Sequence, residues 1–386
     1  MGKRKHLHLL DWYILIPFIL LSLLGIVMVY SSSTYIAIHS GTTALDFLIK
    51  QSIYFVVGLM LMYFFYRLNL SKLRDPVFIK AMFWGITALL VFVLIFSGRV
   101  NGAKGWINLG FINLQPEEFL KIVIILYFAD YIDAQKTYLY EDYFSVMKPA
   151  WGKMIILVLL VLLQPDTGGT AIDLFIILVM SMSTGIKKHR PSNLMFLLFL
   201  SYFVMVFMLS HMNLHGSIWT QHYQLQRLVA FVNPFQNVRT SGRQLVNSYY
   251  AVSNGGLFGV GLGNSVQKMG YLPEANTDFI LSIIAEELGT FTVLIILFLL
   301  LVIILKAIRL GKKATNLYDT LLCYGISAYF FIETLINVGA VIGVLPISGV
   351  TLPLISYGGS SMLALCICIG ILLNVSKREK RYYSEN

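Results

Sequence analysis

An all-α, polytopic integral membrane protein is the fold class this sequence predicts, with about ten transmembrane helices and a large extracytoplasmic loop between helices 7 and 8. Three observations carry it. Hydrophobic residues make up 57% of the 386 residues and charged ones only 12%, where a soluble domain carries roughly 25% charged residues. Apolar runs of spanning length recur from end to end. The basic residues between them alternate between dense and sparse clusters. This composition excludes a water-soluble enzyme, a disulfide-stapled module and a disordered scaffold, none of which could be so apolar.

Taken in order, the first run, 12–30, follows Lys3-Arg4-Lys5; it is long and lacks a small-residue cleavage site, so it reads as a span and no signal peptide is expected. Runs 47–66, 78–96 and 114–129 follow, each close to the 20 or so apolar residues a span needs. The stretch 151–184 is too long for one span and is interrupted by Gln164-Pro165-Asp166-Thr167-Gly168-Gly169-Thr170. Read as a hairpin of two short spans, it gives ten spans in all, with 194–209, 279–305, 320–342 and 354–374 completing the set. Loop charge chooses the hairpin. It places 21 Lys and Arg on the side of both termini and 7 on the other, with Lys121 inside a span, so the termini are expected in the cytoplasm. The formal charge of +10 then reflects topology, and no nucleic-acid partner is expected. Cys323, Cys366 and Cys368 lie in apolar runs without ligand or framework spacing and read as packing residues. The chain is expected to form one membrane domain over 1–386, without an internal repeat. Within it, residues 210–277 form an extracytoplasmic loop of 68 residues, rich in Gly, Asn, Gln, Ser and Tyr, expected to fold partly against the membrane.

Ionisable residues at membrane depth are costly and therefore informative. Glu118 and Lys121 are three apart on one helical face and within pairing reach. Asp166 lies in a Gly- and Pro-containing turn, where a carboxylate is often a cap, and Asp173 reads as a residue of the next helix start. Glu333 is deep in the ninth span with Asn337 one turn on. The densest constellation begins at Gln244, Asn247 and Ser248, ahead of Gly255-Gly256-Leu257-Phe258-Gly259-Val260-Gly261-Leu262-Gly263-Asn264. That run lacks dinucleotide-fingerprint spacing; its glycines either admit a phosphate to backbone N–H groups or make turns, turns being the commoner reading. Lys268, Leu272-Pro273-Glu274 and Thr277-Asp278-Phe279 follow, with Glu286-Glu287 further along. Asp278, at the outer mouth of the eighth span, suits a general base, a metal ligand or a helix cap. His211, His215 and His222 have a metal-compatible spacing but read as loop histidines, and Ser356-Tyr357-Gly358-Gly359-Ser360-Ser361 is a packing face or a polar cavity lining.

Several of these segments together resemble the SEDS family (shape, elongation, division and sporulation): Asn101-Gly102-Ala103-Lys104-Gly105-Trp106-Ile107, Gln115-Pro116-Glu117-Glu118-Phe119-Leu120-Lys121, Gln164-Pro165-Asp166-x-Gly168-x-Thr170, Arg227 with Phe231 and Pro234, Gln244-x-x-Asn247-Ser248, Leu272-Pro273-Glu274-x-x-Thr277-Asp278-Phe279 and Ser356-Tyr357-Gly358-Gly359-Ser360. The resemblance runs from the first span to the tenth. Gly263-Asn264-Ser265, Leu272-Pro273-Glu274-Ala275 and Ser348-Gly349-Val350-Thr351-Leu352-Pro353 look more like the division branch, FtsW, than the elongation branch, RodA. Two departures are visible: Glu117 stands where the family usually has a small residue, and Lys104-Gly105 replaces a basic pair before Trp106.

The resemblance implies a peptidoglycan glycosyltransferase that polymerises lipid II in septal wall synthesis, at the plasma membrane, with a class B penicillin-binding protein and other divisome proteins. It carries the catalytic role onto Asp278, as base for the acceptor hydroxyl. Lipid II has an undecaprenyl tail, a pyrophosphate and a disaccharide-peptide head, so its reacting bond lies at the outer membrane surface. Arg227, Arg243, Lys268 or a divalent cation (Mg2+ or Mn2+) would neutralise the departing pyrophosphate. Gln244, Asn247, Ser248, Glu118, Lys121, Asp166 and Ser356 are the remaining candidates for substrate contact, and no protein metal site is expected. The alternatives are a flippase or transporter for the same lipid, a RodA-type elongation polymerase, and a scaffold that activates a partner synthase.

Overall fold

The computed structural model describes residues 9–98, 105–108, 110, 113–184, 223–238, 240 and 242–385. Helix α1, Trp12–Ser32, starts where the Asp11 carboxylate accepts from the Tyr13 N–H. A short helix, α2 (Thr34–His39), continues beyond its outer end. Helix α3, Ala44–Arg67, opens on a capping box between Thr43 and Asp46. After the 3-10 turn Leu70–Arg74, Asp75 caps α4, Pro76–Phe96, whose Pro76 stands where a missing N–H costs nothing. A two-residue ladder pairs Ile107–Asn108 antiparallel to Asn113–Leu114. It leads into α5, Pro116–Leu139.

Helices α6, Tyr143–Leu163, and α7, Thr167–Met182, form the expected hairpin and pack on each other. The first starts eight residues before the expected 151, because Asp142 caps it at the Ser145 N–H and Pro149 is accommodated within it. At 21 residues α6 is long enough to span. Outside the membrane-spanning set lie α8, Tyr223–Val232, and α9, Arg243–Gly255. The chain then enters α10, Ile280–Lys313, α11, Leu317–Val341, and α12, Gly359–Glu385.

Seven of the described helices are long and apolar enough to cross a membrane, and α7 is a shorter apolar helix. Helix α5 carries Glu117, Glu118 and Lys121 at its start and is not among the seven. The expected span 194–209, the loop residues 210–222 and the three loop histidines lie outside the described residues.

Helices α11 and α12 are the buried centre, while α3 and α4 present most of their apolar surface outward, as lipid-facing helices do. Close approach replaces the hydrophobic effect as the packing force inside a bilayer. Helices α3 and α12 show how: a Cβ on Gly58 would lie 2.5 Å from Cys366 Sγ, and one on Gly370 would lie 2.5 Å from the Met62 carbonyl. Two of the expected late spans are corrected. The tenth expected span, found as α12, begins at Gly359, five residues after 354, because Leu354 (φ 66°) and Gly349 (φ 83°) turn the backbone out of helical geometry. The eighth expected span, found as α10, runs on to Lys313 but breaks at Gly289 (φ 84°, ψ 164°).

At the basic end of the bundle, Arg74 pairs with Asp130 (3.3 Å) and Asp133 (2.6 Å), Lys306 with Asp11 (3.0 Å) and Arg378 with Asp319 (3.0 Å). The C-terminal part of α12 is tied down as Asn374 Nδ2 donates to the Phe65 and Leu68 carbonyls.

Candidate active site

Asp278 sits on a short strap, residues 272–279, that leads into α10. Its backbone is held from three directions. From α11, Asn337 Nδ2 donates to the Asp278 and Val350 carbonyls, each at 2.8 Å. From the 348–358 segment, Ser356 Oγ donates to the Thr277 carbonyl at 2.7 Å and the Tyr357 N–H to the Asn276 carbonyl at 2.9 Å. From beyond α1, Ser33 Oγ accepts from Asn276 Nδ2 at 3.1 Å. Inside the strap, Thr277 Oγ1 donates to Glu274 Oε2 at 2.7 Å, and Glu274 itself has φ 55°, a strained value for a non-glycine residue. A backbone so fixed leaves the Asp278 side chain little choice of direction.

That carboxyl does not cap the helix. The N-cap of α10 is Phe279, without a side-chain capping bond. Instead Asp278 Oδ2 and the two terminal nitrogens of Arg227, on α8, each lie 3.6 Å from the point where a Cβ on Gly349 would stand. Glycine there keeps a side chain out of the space beside both the acid and the guanidinium. Burial, first, and the neighbouring Glu274 charge push the Asp278 pKa up to about 7; Arg227 pulls it down and Asp166 adds a smaller push upward.

Asp166 caps α7, accepting from the Gly169 N–H at 2.8 Å, and also accepts from Gln115 Nε2 at 3.3 Å. Its pKa is raised by burial, opposed by the Gly169 N–H. Deeper in the bundle, Lys121 Nζ pairs with Glu118 Oε2 (2.9 Å) and Glu117 Oε1 (3.3 Å), while Tyr329 OH donates to Glu118 Oε2 at 2.9 Å. Gly169 leaves the room Glu117 fills: a Cβ there would lie 2.5 Å from Glu117 Oε1. Asp173 is buried near this cluster with neither carboxyl oxygen hydrogen-bonded. Glu333 Oε1 accepts from Thr351 (3.2 Å) and Ser361 (3.3 Å).

The remaining sequence candidates go elsewhere. Lys268 is 4% exposed, and its Nζ is consumed by Glu287 Oε1 (2.6 Å) and Ser31 Oγ (2.9 Å), so it is not presented beside Asp278. Arg243 donates to the Tyr271 and Gly270 carbonyls and Asn247 to Tyr271 as well, which supports the strap's approach from α9. Ser248 is buried between Ser282 Oγ and the Val341 carbonyl, each at 2.8 Å. Gln244 is half-buried on α9. Ser356 acts through the Thr277 carbonyl rather than by facing a ligand.

The glycine-rich run resolves as turns. It docks by backbone on the break in α10: Val260 N–H to Glu286 O (2.9 Å), Gly261 N–H to Glu287 O (3.0 Å), Thr290 N–H to Gly256 O (3.0 Å) and Phe291 N–H to Leu257 O (3.2 Å). Glu286 accepts from Asn254 Nδ2 (2.9 Å), the Val266 N–H (3.1 Å) and Ser265 Oγ. Among the described residues no three His, Cys, Asp or Glu side chains converge as a metal site. Sequence reasoning missed Asn337's grip on Asp278, Glu274 as its electrostatic neighbour, and Gln115 and Tyr329; only proximity within a quoted motif pointed to Glu274 and Gln115.

Three comparisons bear on this geometry. The model of the FtsW, RodA and SpoVE family, described as "Cell cycle protein", matches residues 11–381. The probable peptidoglycan glycosyltransferase FtsW of Bacillus subtilis is 36% identical, over 99% of this chain and 94% of its own. That of Lactococcus lactis is 35% identical over 96% and 93%, and the stage V sporulation protein E of Bacillus subtilis 33% over 96% and 98%. Among solved structures, one described as "Structural coordination of polymerization and crosslinking by a peptidoglycan synthase complex" superposes with a TM-score of 0.72 at 24% identity, over 96% of this chain and 98% of that one. The rod shape determining protein RodA of Thermus thermophilus superposes at 0.66 and 24%, over 96% and 97%. These two carry the fold. The multi-pass helical architecture, the motifs from the first span to the last and the near-complete match leave one assignment: the chain belongs to the FtsW/RodA/SpoVE family.

Proposed function

We propose that this protein is a peptidoglycan glycosyltransferase that polymerises lipid II into glycan strands, with Asp278 as general base. The observation that carries the reading is the convergence of the Asp278 carboxyl and the Arg227 guanidinium beside Gly349, with the acid's pKa at about 7. A base near 7 is ionised in half the molecules at neutral pH yet retains proton affinity, the compromise that general-base catalysis favours. The carboxylate takes the proton of the acceptor sugar's 4-hydroxyl. The oxygen attacks the anomeric carbon of the donor, the new C–O bond forms, and the bond to pyrophosphate breaks with inversion. Arg227 meets the negative charge that develops on the leaving group.

Names of the relatives, probable peptidoglycan glycosyltransferases FtsW at 35% and 36% identity, support the transferase activity, and the family description "Cell cycle protein" supports a place in division. A structural neighbour described as a peptidoglycan synthase complex supports a class B penicillin-binding protein as partner. The basic excess of 21 to 7 supports cytoplasmic termini, which puts Asp278 on the outer face, where the pyrophosphate of lipid II is reached.

The test is polymerisation of purified lipid II by the chain together with its partner in a transpeptidase-dead form, read as glycan ladders. Wild type is expected to form ladders, and Asp278→Asn and Asp278→Ala to lose about 10²–10⁴-fold in rate while eluting as folded protein. Parallel lanes with EDTA report on a divalent cation. Equal ladders from the variants would remove Asp278 from catalysis. Absence of ladders from wild type would return the transporter and scaffold readings.

A further inference from the structure

Helices α3 and α12 meet at the basic end of the bundle, and three cations gather there. Arg67 closes α3, while Lys377 and Arg381 lie four apart on α12 and so share one face. The two helices are joined at this point: Asn374 Nδ2 donates to the Phe65 and Leu68 carbonyls, and Lys377 Nζ to the Tyr66 carbonyl at 2.5 Å. That junction brings Arg67 and Arg381 near enough to act on Lys377 by charge. Like charges so placed repel. Neighbouring acids do not relieve them, since Asp11 is taken by Lys306, Asp319 by Arg378, and Asp130 and Asp133 by Arg74. Glu379, between Lys377 and Arg381 in sequence, turns instead to the Thr315 N–H at 3.1 Å. Among the described residues no carboxylate pairs with any of the three cations.

Aromatic rings hold the cationic arms in place. Arg67 Cζ lies 5.9 Å from the Tyr63 ring centroid, and Lys377 Nζ 4.4 Å from that of Tyr66. Tyr66 is buried, its hydroxyl has no hydrogen-bond partner, and the charges of Arg381 and Arg67 act on it. Buried hydroxyls are normally satisfied, so a hydroxyl donor and three cations converge here with no anion of the chain between them. We propose that Arg67, Lys377 and Arg381, with Tyr63 and Tyr66, form a binding site for a phosphate group. Lys377 spends one of its three N–H donors on the Tyr66 carbonyl, and the exposed Arg67 and Arg381 offer planar forks that match a tetrahedral oxyanion. Charge gathered at one point suits such a compact anion better than an extended acidic peptide. The phosphodiester of an anionic phospholipid is one source of that group, since two membrane-crossing helices end here, and free inorganic phosphate is the other.

Thermal unfolding of the full chain in a non-ionic detergent tests this, because a ligand that binds the folded state raises the melting temperature with its concentration. The titrants are dioleoylphosphatidylglycerol, the zwitterionic dioleoylphosphatidylcholine and inorganic phosphate. Wild type is compared with Arg67→Gln, Arg381→Gln and Tyr66→Phe, and with Lys136→Gln as an exposed cation outside the patch. Phosphatidylglycerol is expected to stabilise wild type more than phosphatidylcholine does. Its apparent affinity should fall about 10-fold in each arginine variant and about 5-fold in Tyr66→Phe, and should hold in Lys136→Gln. Inorganic phosphate should show the same order of variants at higher concentration. A response to phosphate alone, in that order, would support the site and assign it a soluble source. Equal stabilisation of wild type and both arginine variants would overturn the proposal, as would an equal loss in Lys136→Gln or no response to either phosphate source. Both arginines are exposed, so their variants are expected to fold, and Tyr66→Phe, which removes one hydroxyl, carries the test should they not.

Discussion

Asp278 and its immediate partners define what a single residue can be asked to do. With the carboxyl's pKa at about 7, polymerisation should rise with pH through about 7 and level off above it, as one proton leaves the base. Glu274→Gln removes a negative neighbour that raises this pKa, so the rise should move to lower pH. Arg227→Gln removes the opposing cation, so the rise should move to higher pH and the plateau should fall. Initial rates against pH for the three proteins check the order, and an unmoved rise in Glu274→Gln would remove its electrostatic role. The same shift has a stability consequence of definite sign. A folded-state pKa above the unfolded value means that the protonated acid favours folding: the contribution is full below the unfolded pKa and is lost as pH rises through about 7. Asp278→Asn should therefore melt above wild type at pH 8, with the difference shrinking toward pH 4. Asn337 is a positioning residue at 1% exposure. Asn337→Ala leaves the Asp278 and Val350 carbonyls without their donor and should cost about 1–3 kcal/mol; because the strap loosens, the loss should fall on kcat more than on KM, with Asn337→Asp failing to rescue.

Between elements, the break in α10 is the decisive feature. A helix interrupted at Gly289 strands backbone groups that the glycine-rich loop then satisfies. Both chains come too close for side chains: Cβ atoms on Gly259 or Gly289 would collide with the Glu287 or Leu257 carbonyls. The loop is also tied by charge, through the buried Lys268–Glu287 pair that Ser31 of α1 completes. Lys268→Met removes the ammonium partner of the buried Glu287 carboxyl and should destabilise the protein by about 3–5 kcal/mol. Combining it with Glu287→Gln should restore part of that, since the carboxyl left without its partner is removed as well. Melting of the two single variants and the double in detergent measures the recovery. A second effect near zero in all three would mean that the backbone docking alone holds the loop. Neither role was legible from residue types. Lys268 lies 19 positions from Glu287 and 237 from Ser31, and spacing along the chain says nothing about contacts at that range.

At the scale of the molecule, the basic end and the Asp278 site lie at opposite ends of α10. The Arg74, Lys306 and Arg378 pairs lie with the dense basic loops. Both termini are expected in the cytoplasm, so a tag after Asn386 should resist protease in intact cells and become accessible on permeabilisation, whereas a tag inserted between Gly263 and Asn264 should be cut in cells with an opened outer surface. Reversal of the two would invert the topology and put Asp278 on the wrong side for lipid II.

Membrane class, a helical hairpin (expected over 151–184, found over 143–182) and family membership followed from the sequence alone, because hydropathy, loop charge and motif order are properties read along the chain. The Glu118–Lys121 pair was legible for the same reason: three residues on one helix are neighbours by geometry. Helix limits were less so, since Asp142 capping and the turn at Leu354 are local choices that apolar content does not record. Which of three candidate cations faces Asp278 was decided only by tertiary structure. Arg227 reaches it from α8, Lys268 is taken by Glu287, and Arg243 is spent on carbonyls. The physical reason is that charge in a low-dielectric fold is worth what its nearest partner makes it, and those partners come from helices far apart in sequence.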